Sequence, residues 1–170
     1  MVPSFGKDRY VVVNKAAYRV LLPFSSLNIA EVATPKRGDV VVFASKRQDG
    51  ALFMKRIIGL PGETLAIRDR QIFINDKPMP RNLHSASDQI LSKLQPSPED
   101  RFPEDYKLYV EGLDQNYHVV SNSKSDPVDV NPVTIPDKMY FVLGDNRDNS
   151  YDSSRFGPIA ADAIVGKVIW

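Results

Sequence analysis

Cysteine is absent from this sequence of 170 residues, and histidine occurs only twice, at His84 and His118. The absence of cysteine excludes disulfides, thiolate metal sites and cysteine nucleophiles. Two histidines in unrelated stretches provide little for a zinc site or a Ser-His-Asp triad. Any hydrolytic chemistry must therefore use a base other than histidine.

Long apolar runs and an excess of charge are also absent. No segment approaches the roughly 18 apolar residues of a membrane span, and the first residues lack the pattern of a signal peptide. The net charge is +1, with basic residues interleaved among acidic ones. Nucleic acid is therefore not an expected partner, because phosphate binding depends on clustered Lys and Arg. The chain enters an apolar strand within a few residues of Met1, and we expect that a segment is missing upstream.

What the sequence does contain is a series of short apolar stretches separated by Gly, Pro and Asp. This pattern predicts a mainly β fold, a twisted or coiled, barrel-like sheet with hardly any helix. Buried strands are predicted at residues 9–15 and 40–43, and a turn followed by a buried strand at residues 134–143, because these stretches are rich in β-branched and aromatic residues. Residues 16–34 are predicted to form an irregular excursion.

Residues 80–131 differ from the rest of the chain. They hold both histidines, many Ser, Asp and Pro residues and only weak strand signals, with a short helix predicted at 87–94. Their polarity leaves little apolar surface to bury. We therefore predict a β core formed by residues 1–79 and 132–170, with residues 80–131 inserted as a smaller polar lobe.

Lys55 lies inside an alternating apolar run that ends at the turn Gly59-Leu60-Pro61-Gly62. The period of two in a strand places Phe53, Lys55 and Ile57 on one face. A lysine among apolar groups loses hydration of its charged form, which lowers its pKa and permits a neutral, proton-accepting amine. Such an amine can act as a catalytic base. The alternative is a lysine that extends its stem along a sheet edge and keeps its ammonium group in water.

A second motif, at residues 144–152, combines carboxylates, carboxamides, Arg147 and Ser150 within nine residues. Asp and Asn side chains bond to nearby backbone, so this composition predicts an ordered loop, and Arg147 can bridge two carboxylates. The composition is equally compatible with a purely structural turn network and with a functional loop.

Four segments, in this order, resemble the bacterial type I signal peptidases: residues 35–43, 54–63, 136–146 and 144–153. The resemblance implies a twisted all-β catalytic core with a smaller inserted β lobe. It also implies a serine endopeptidase that is anchored in the bacterial cell membrane, acts on its outer side and removes signal peptides from exported preproteins. The implied chemistry needs no cofactor: a lysine amine takes the proton of a serine, the serine attacks the scissile carbonyl, and water hydrolyses the acyl-enzyme.

The resemblance also implies roles for individual residues. Lys55 matches the general base, Ser150 the serine that orients its amine, and Asp152 the acid that supports that serine. Asp145 and Arg147 match a salt-linked pair inside the loop, and Arg56 matches the arginine beside the base. Four further residues match positions that line the pockets for small residues before the cleavage site: Met1, Phe5, Phe53 and Met54. The implied substrates carry an Ala-X-Ala-like segment.

The nucleophile is where the sequence departs from the family. It belongs to a Ser-Met-any-Pro-Thr-Leu segment, and residues 1–5 resemble its last five positions. The nucleophilic serine would therefore precede Met1, and we expect the chain as written to be inactive. Ser4 matches a non-nucleophilic hydroxyl and is a poor substitute. The arginine at position 155 falls one place later than the family pattern, which leaves Arg155 without an assigned role.

Two other hypotheses remain open. A pseudopeptidase would bind extended, signal-like peptides without cutting them, although a pure binder has no use for a desolvated lysine that costs stability. A self-cleaving repressor-type Ser-Lys peptidase would need a DNA-binding segment and a cleavable Ala-Gly linker, and neither is visible in the sequence.

Overall fold

β-strands dominate the computed structural model, which describes residues 4, 10–21, 28–45, 49–87, 89–90, 106–114, 116–122 and 127–169. Within these residues the strands are Val12–Asn14 (β1), Arg19–Leu21 (β2), Asn28–Glu31 (β3), Val40–Ala44 (β4), Leu52–Gly59 (β5), Thr64–Arg68 (β6), Gln71–Ile74 (β7), Lys77–Pro78 (β8), Arg81–Leu83 (β9), Lys107–Leu113 (β10), Asn116–Asn122 (β11), Val130–Thr134 (β12), Met139–Leu143 (β13), Ile159–Ala160 (β14) and Ile164–Ile169 (β15). Two short helices are Ser153–Phe156 (α1) and the 3₁₀ helix Ala161–Ala163, and residues 87, 89 and 90 are also helical.

The strands form four antiparallel sheets, which confirms the prediction of a mainly β fold. The central sheet has the order β1-β15-β4-β5-β13-β14, and a second sheet has the order β12-β6-β7-β8. The lobe sheet has the order β11-β10-β9, and β2 pairs with β3. In the described part of the chain these sheets stay open and do not join into a closed barrel. No helix there is long and apolar enough to span a bilayer.

β4 and β5 form the middle of the central sheet. The predicted strand at residues 40–43 is confirmed, since Val40, Val41, Val42 and Phe43 are all buried. β-branched and aromatic side chains fit the pleated surface of a strand that is covered on both faces. β4 pairs along β5 with Val41 opposite Lys55. The candidate base therefore lies on a strand anchored in the core.

The N-terminal third differs from the prediction in two places. A strand is present within the stretch 9–15, as β1, but its predicted burial is wrong, because β1 is an edge strand of the central sheet and the side chain of Val12 is 63% exposed. A run of valines does not by itself distinguish an edge strand from a central one. The irregular excursion expected at 16–34 is also wrong, because β2 and β3 pair with each other. Arg9 lies outside the described residues.

The lobe buries more apolar surface than its composition indicated. Leu108, Leu113 and Val120 are completely buried, and β10 and β11 pair over seven residues each. Leu108 packs with Tyr106, and Leu113 packs in the cluster that contains Leu65. Most of the helix predicted at 87–94 lies outside the described residues. β12 pairs with β6 of the second sheet, and its span of Val130–Thr134 crosses the predicted lobe boundary at residue 131. The division into core and lobe remains a prediction.

Candidate active site

Lys55 lies where the central sheet opens. β5 pairs with β4 from Leu52 to Arg56, but on its other side it pairs with β13 only from Arg56 onward. β13 ends at Leu143, opposite Arg56, and the chain then leaves the sheet at Gly144. Among the described residues, the edge of β5 from Leu52 to Lys55 therefore has no partner strand on that side.

The two faces of β5 separate as the period of two predicted. Phe53 and Ile57 belong to one apolar cluster, whereas Met54 packs against another cluster that contains Val42 and Val168. Lys55 shares the face of Phe53 and Ile57. Its amine is thus placed beside apolar groups at the open edge of the sheet.

The Lys55 amine is held by Ser150. Lys55 Nζ donates a hydrogen bond to Ser150 Oγ at 2.9 Å. Burial removes water from the amine and lowers the pKa of Lys55 below its ordinary value, while Asp152 and Asp145 act in the opposite direction. Desolvation dominates, so the neutral amine is more accessible here than on an exposed lysine.

Gly144 lies directly against Ser150 and Lys55. A Cβ atom at position 144 would lie 2.7 Å from Ser150 Cβ and 3.4 Å from Lys55 Nζ, and it would overlap Ser150 Oγ. Only a residue without a side chain allows Ser150 and Lys55 to meet above it. The backbone at Gly144 therefore fixes the geometry of the pair.

Asp152 closes the 144–152 loop. Its Oδ2 accepts a hydrogen bond from Gly144 N at 2.9 Å. Its Oδ1 caps α1 by accepting from the backbone N and the hydroxyl of Ser154 at 3.1 and 2.7 Å. Neither carboxylate oxygen bonds to Ser150 in the described structure. Asp152 therefore contacts the backbone of Gly144, which in turn lies against Ser150.

Arg56, next to Lys55 in the sequence, forms a buried ion pair with Asp145. Arg56 Nε and Nη2 donate to the two oxygens of Asp145 at 2.9 and 2.8 Å, and Arg56 Nη1 donates to Gly38 O at 2.9 Å. The Asp145 side chain is completely inaccessible to solvent. The hydroxyl of Ser4 also bonds to Asp145, and Arg56 donates to it at 3.3 Å. The Ser4 hydroxyl thus forms its hydrogen bonds with Asp145 and Arg56 rather than with Lys55.

The expected ion pair between Asp145 and Arg147 is wrong. Asp145 is satisfied by Arg56, whereas Arg147 turns to Glu111 in the lobe sheet. Arg147 Nη1 donates to Glu111 Oε1 at 2.7 Å, and Nη2 donates to Oε2. His118 Nε2 lies 3.4 Å from Glu111 Oε2. The sequence reasoning missed Glu111, although a lone carboxylate inside the apolar strand 107–113 was a usable signal.

Glu111 should make the stability of the fold sensitive to acid. Burial alone raises the pKa of Glu111, but attraction to Arg147 and hydrogen bonds from His118 and Arg147 hold it at about 2, below its ordinary value of 4.5. The ionised carboxylate therefore stabilises the fold above about pH 4.5, and this contribution, on the order of 3 kcal/mol, is lost as the pH falls toward 2. Urea unfolding at several pH values should show the stability difference between wild type and Glu111→Gln shrinking over this window. Parallel curves for the two proteins would contradict the assignment.

Two of the predicted pocket residues lie on opposite faces of β5. Phe53 stacks on Phe43 with ring centroids 5.9 Å apart and lies 6.4 Å from the ring of Tyr151. Met54 faces the other way, into the cluster around Val42. The structure therefore does not bring Phe53 and Met54 together in one pocket lining. Met1 and Phe5 lie outside the described residues. No group of three or more ligating side chains in the described part of the chain could hold a metal.

A family model described as signal peptidase, peptidase S26, matches residues 1–170. The chain belongs to this signal peptidase family. The resemblance predicted from the four sequence segments is thereby confirmed, and it includes the segments that carry Lys55 and the 144–152 loop.

Several signal peptidases are similar to this chain. Signal peptidase I of Pseudomonas fluorescens is 29% identical over 185 residues, covering 100% of this chain and 61% of that protein. Signal peptidase I of Pseudomonas aeruginosa is 31% identical over 157 residues, covering 90% and 51%. Signal peptidase I V of Bacillus subtilis is 29% identical over 168 residues, covering 99% and 77%. The chain thus spans between 51% and 61% of the length of the two Pseudomonas relatives.

Proposed function

We propose that this chain is the catalytic region of a signal peptidase that cleaves signal peptides from exported preproteins with a Ser-Lys dyad. The observation that carries the proposal is the hydrogen bond of 2.9 Å between Lys55 Nζ and Ser150 Oγ, at a partly desolvated site beside the open edge of β5. A base at such a place can act on a peptide bond that is presented along the edge.

Lys55 is the general base in this proposal. One N–H of the amine is donated to Ser150, which leaves the nitrogen lone pair available to an incoming nucleophile. We propose that this nucleophile is a serine that immediately precedes Met1. The neutral amine takes the hydroxyl proton, the serine oxygen bonds to the scissile carbonyl carbon, and the protonated amine returns the proton to the leaving nitrogen. Water, deprotonated by the same amine, then hydrolyses the acyl-enzyme.

The supporting residues hold this base in place. Asp152 fixes Gly144 beneath Ser150, and the Arg56–Asp145 pair joins the start of the loop to β5. Neither group needs to touch the substrate for this role. Arg147 fixes the middle of the loop from the side of the lobe.

The substrate is proposed to bind as an added strand. The edge of β5 from Leu52 to Lys55 offers backbone groups to an extended peptide, a mode that gives affinity through main-chain hydrogen bonds. Phe53, on the face that carries Lys55, is proposed to contact small side chains before the cleavage site, whereas Met54 lies on the opposite face of β5. The partners are signal peptides and, through an N-terminal anchor, the cell membrane, with the catalytic region on its outer side. No cofactor and no nucleic acid take part.

The test uses two extended forms of the chain, in which a short segment ending in serine or in alanine precedes Met1. A preprotein-like peptide with an Ala-X-Ala segment is incubated with each form and with the unextended chain. We expect cleavage after Ala-X-Ala by the serine-extended form alone.

Three other outcomes would contradict the proposal. Cleavage by the unextended chain that is lost in Ser4→Ala would make Ser4 the nucleophile. Cleavage by the alanine-extended form that is lost in Ser150→Ala would assign that role to Ser150. Tight binding of the peptide by the serine-extended form without cleavage would identify a pseudopeptidase.

A further inference from the structure

Glu111 is a charged side chain buried in the lobe sheet, away from the strand that carries the base. Only 1% of its surface is exposed, and both of its carboxylate oxygens accept hydrogen bonds from Arg147. A buried, bidentate carboxylate–guanidinium pair fixes the orientation of both planes. Glu111 therefore determines where the guanidinium of Arg147 lies.

Arg147 carries this constraint from the lobe to the loop. Its Nε donates to Gly144 O at 3.2 Å, so the same guanidinium bonds to Glu111 and to the backbone carbonyl of Gly144 in the candidate site. Its backbone N donates to Ser121 O at 3.0 Å, while Ser121 N donates to Asp145 O at 2.8 Å. The end of β11 thus pairs with the loop, and Arg147 ties the two together.

Gly144 transmits the constraint to the base. Its N–H is bonded to Asp152 and its carbonyl to Arg147, so both ends of this residue are held. Ser150 and Lys55 lie directly above its Cα. A shift of Gly144 must therefore move Ser150 or admit water beside the amine.

We propose that Glu111 is a positioning residue for the Lys55–Ser150 pair and acts through Arg147 and the Gly144 backbone. The inference rests on the proposed function of Lys55. The lobe then has a defined role in the reaction: strand β10 supplies the carboxylate that sets the geometry of a base on β5.

A second contact between the lobe and the rest of the chain provides a control, at a carboxylate that is 57% exposed where Glu111 is 1% exposed. Asp114, in the turn after β10, bonds to Arg37 Nε at 3.1 Å. Like Glu111, Asp114 is a carboxylate that accepts hydrogen bonds from an arginine. The other hydrogen bonds of Arg37 are donated to Glu63 and to Ile58 O rather than to the 144–152 loop. Glu111→Gln and Asp114→Asn therefore both weaken a contact made by the lobe. Only the contact of Glu111 is connected, through Arg147, to Gly144.

The first measurement is an NMR titration of the Lys55 amine in the unextended chain, with wild type, Glu111→Gln and Asp114→Asn compared. In Glu111→Gln the loosened loop admits water to the amine, so the midpoint of Lys55 should rise toward that of an exposed lysine. Asp114→Asn should leave it unchanged.

The second measurement is peptide cleavage by the serine-extended form. A displaced base lowers the rate of the chemical step, so kcat should fall about 10- to 100-fold in Glu111→Gln. KM should stay as in wild type, because Glu111 lies in a different sheet from the Leu52–Lys55 edge. If Glu111→Gln does not fold, the double variant Glu111→Gln/Arg147→Met removes both buried charges and should show the same loss of kcat as Arg147→Met alone.

The outcomes separate the inference from the function on which it rests. An ordinary midpoint for Lys55 in the wild type would overturn the proposed function and this inference together. If the titration midpoint of Lys55 is lowered in the wild type and Glu111→Gln changes neither this midpoint nor kcat, the inference alone is overturned. Equal effects of Glu111→Gln and Asp114→Asn would also overturn it, since Glu111 would then only fasten the lobe.

Discussion

Replacing Lys55 by methionine in the serine-extended form is expected to lower kcat for peptide cleavage by about 10²- to 10⁴-fold, the usual contribution of a general base. Methionine keeps the unbranched apolar stem beside Phe53 and Ile57 but cannot accept a proton. KM should change little, since the edge of β5 keeps its backbone groups. Lys77→Met, on the exposed strand β8, is the matched control and should retain wild-type activity.

The pH dependence of cleavage provides an independent check on the same base. The amine must be neutral to take a proton, so the rate should rise with pH through the pKa of Lys55 and then level off. Because burial lowers the pKa of Lys55, the midpoint should lie below 10.5. A midpoint at or above this value, or substantial activity in Lys55→Met, would remove Lys55 from the mechanism.

Replacing Arg56 by methionine is expected to lower the free energy of unfolding by about 3–5 kcal/mol, because it leaves the Asp145 carboxylate buried without its cation. The Asp145 side chain is fully buried and that of Arg56 is 6% exposed, so water cannot replace the lost partner. Urea unfolding at neutral pH measures the effect. Lys167→Met, which breaks a pair with Asp39 in which the lysine side chain is 39% exposed, should cost only about 0–1 kcal/mol.

The double variant Arg56→Met/Asp145→Leu tests the cause of this loss. With both charges removed, no uncompensated ion stays in the interior, so most of the lost stability should return. A double variant as unstable as Arg56→Met alone would show that packing of the Arg56 stem, rather than charge, accounts for the loss.

The core strands could be predicted from the sequence because their signals are local. The run of Val and Phe at 40–43 and the alternation around Lys55 depend only on neighbouring residues, and the structure has both. The ordered loop at 144–152 was predicted for the same reason, since Asp152 bonds to backbone eight residues before it and two residues after it.

The partners of the buried charges could not be predicted in this way. Arg147 has carboxylates close to it in sequence, yet its partner Glu111 lies 36 residues away, on a strand that was assigned to a polar lobe. Which carboxylate an arginine selects depends on how the lobe sheet docks against the loop, and this is a tertiary contact. The exposure of β1 was missed because the position of a strand in a sheet is not encoded in its own residues.

The early end of β13 has a consequence for the range of substrates. A peptide that adds to the bare edge of β5 is recognised mainly through its backbone, which is the same in every protein. Side chains of an extended peptide alternate between the two sides of the strand, so only every second residue faces the enzyme. Under the proposed function, this alternation predicts that small residues are needed at the two Ala positions of Ala-X-Ala while the residue between them is free. Under the proposed function, one short stretch of β5 that has no partner strand among the described residues can therefore serve many exported proteins whose sequences have little else in common.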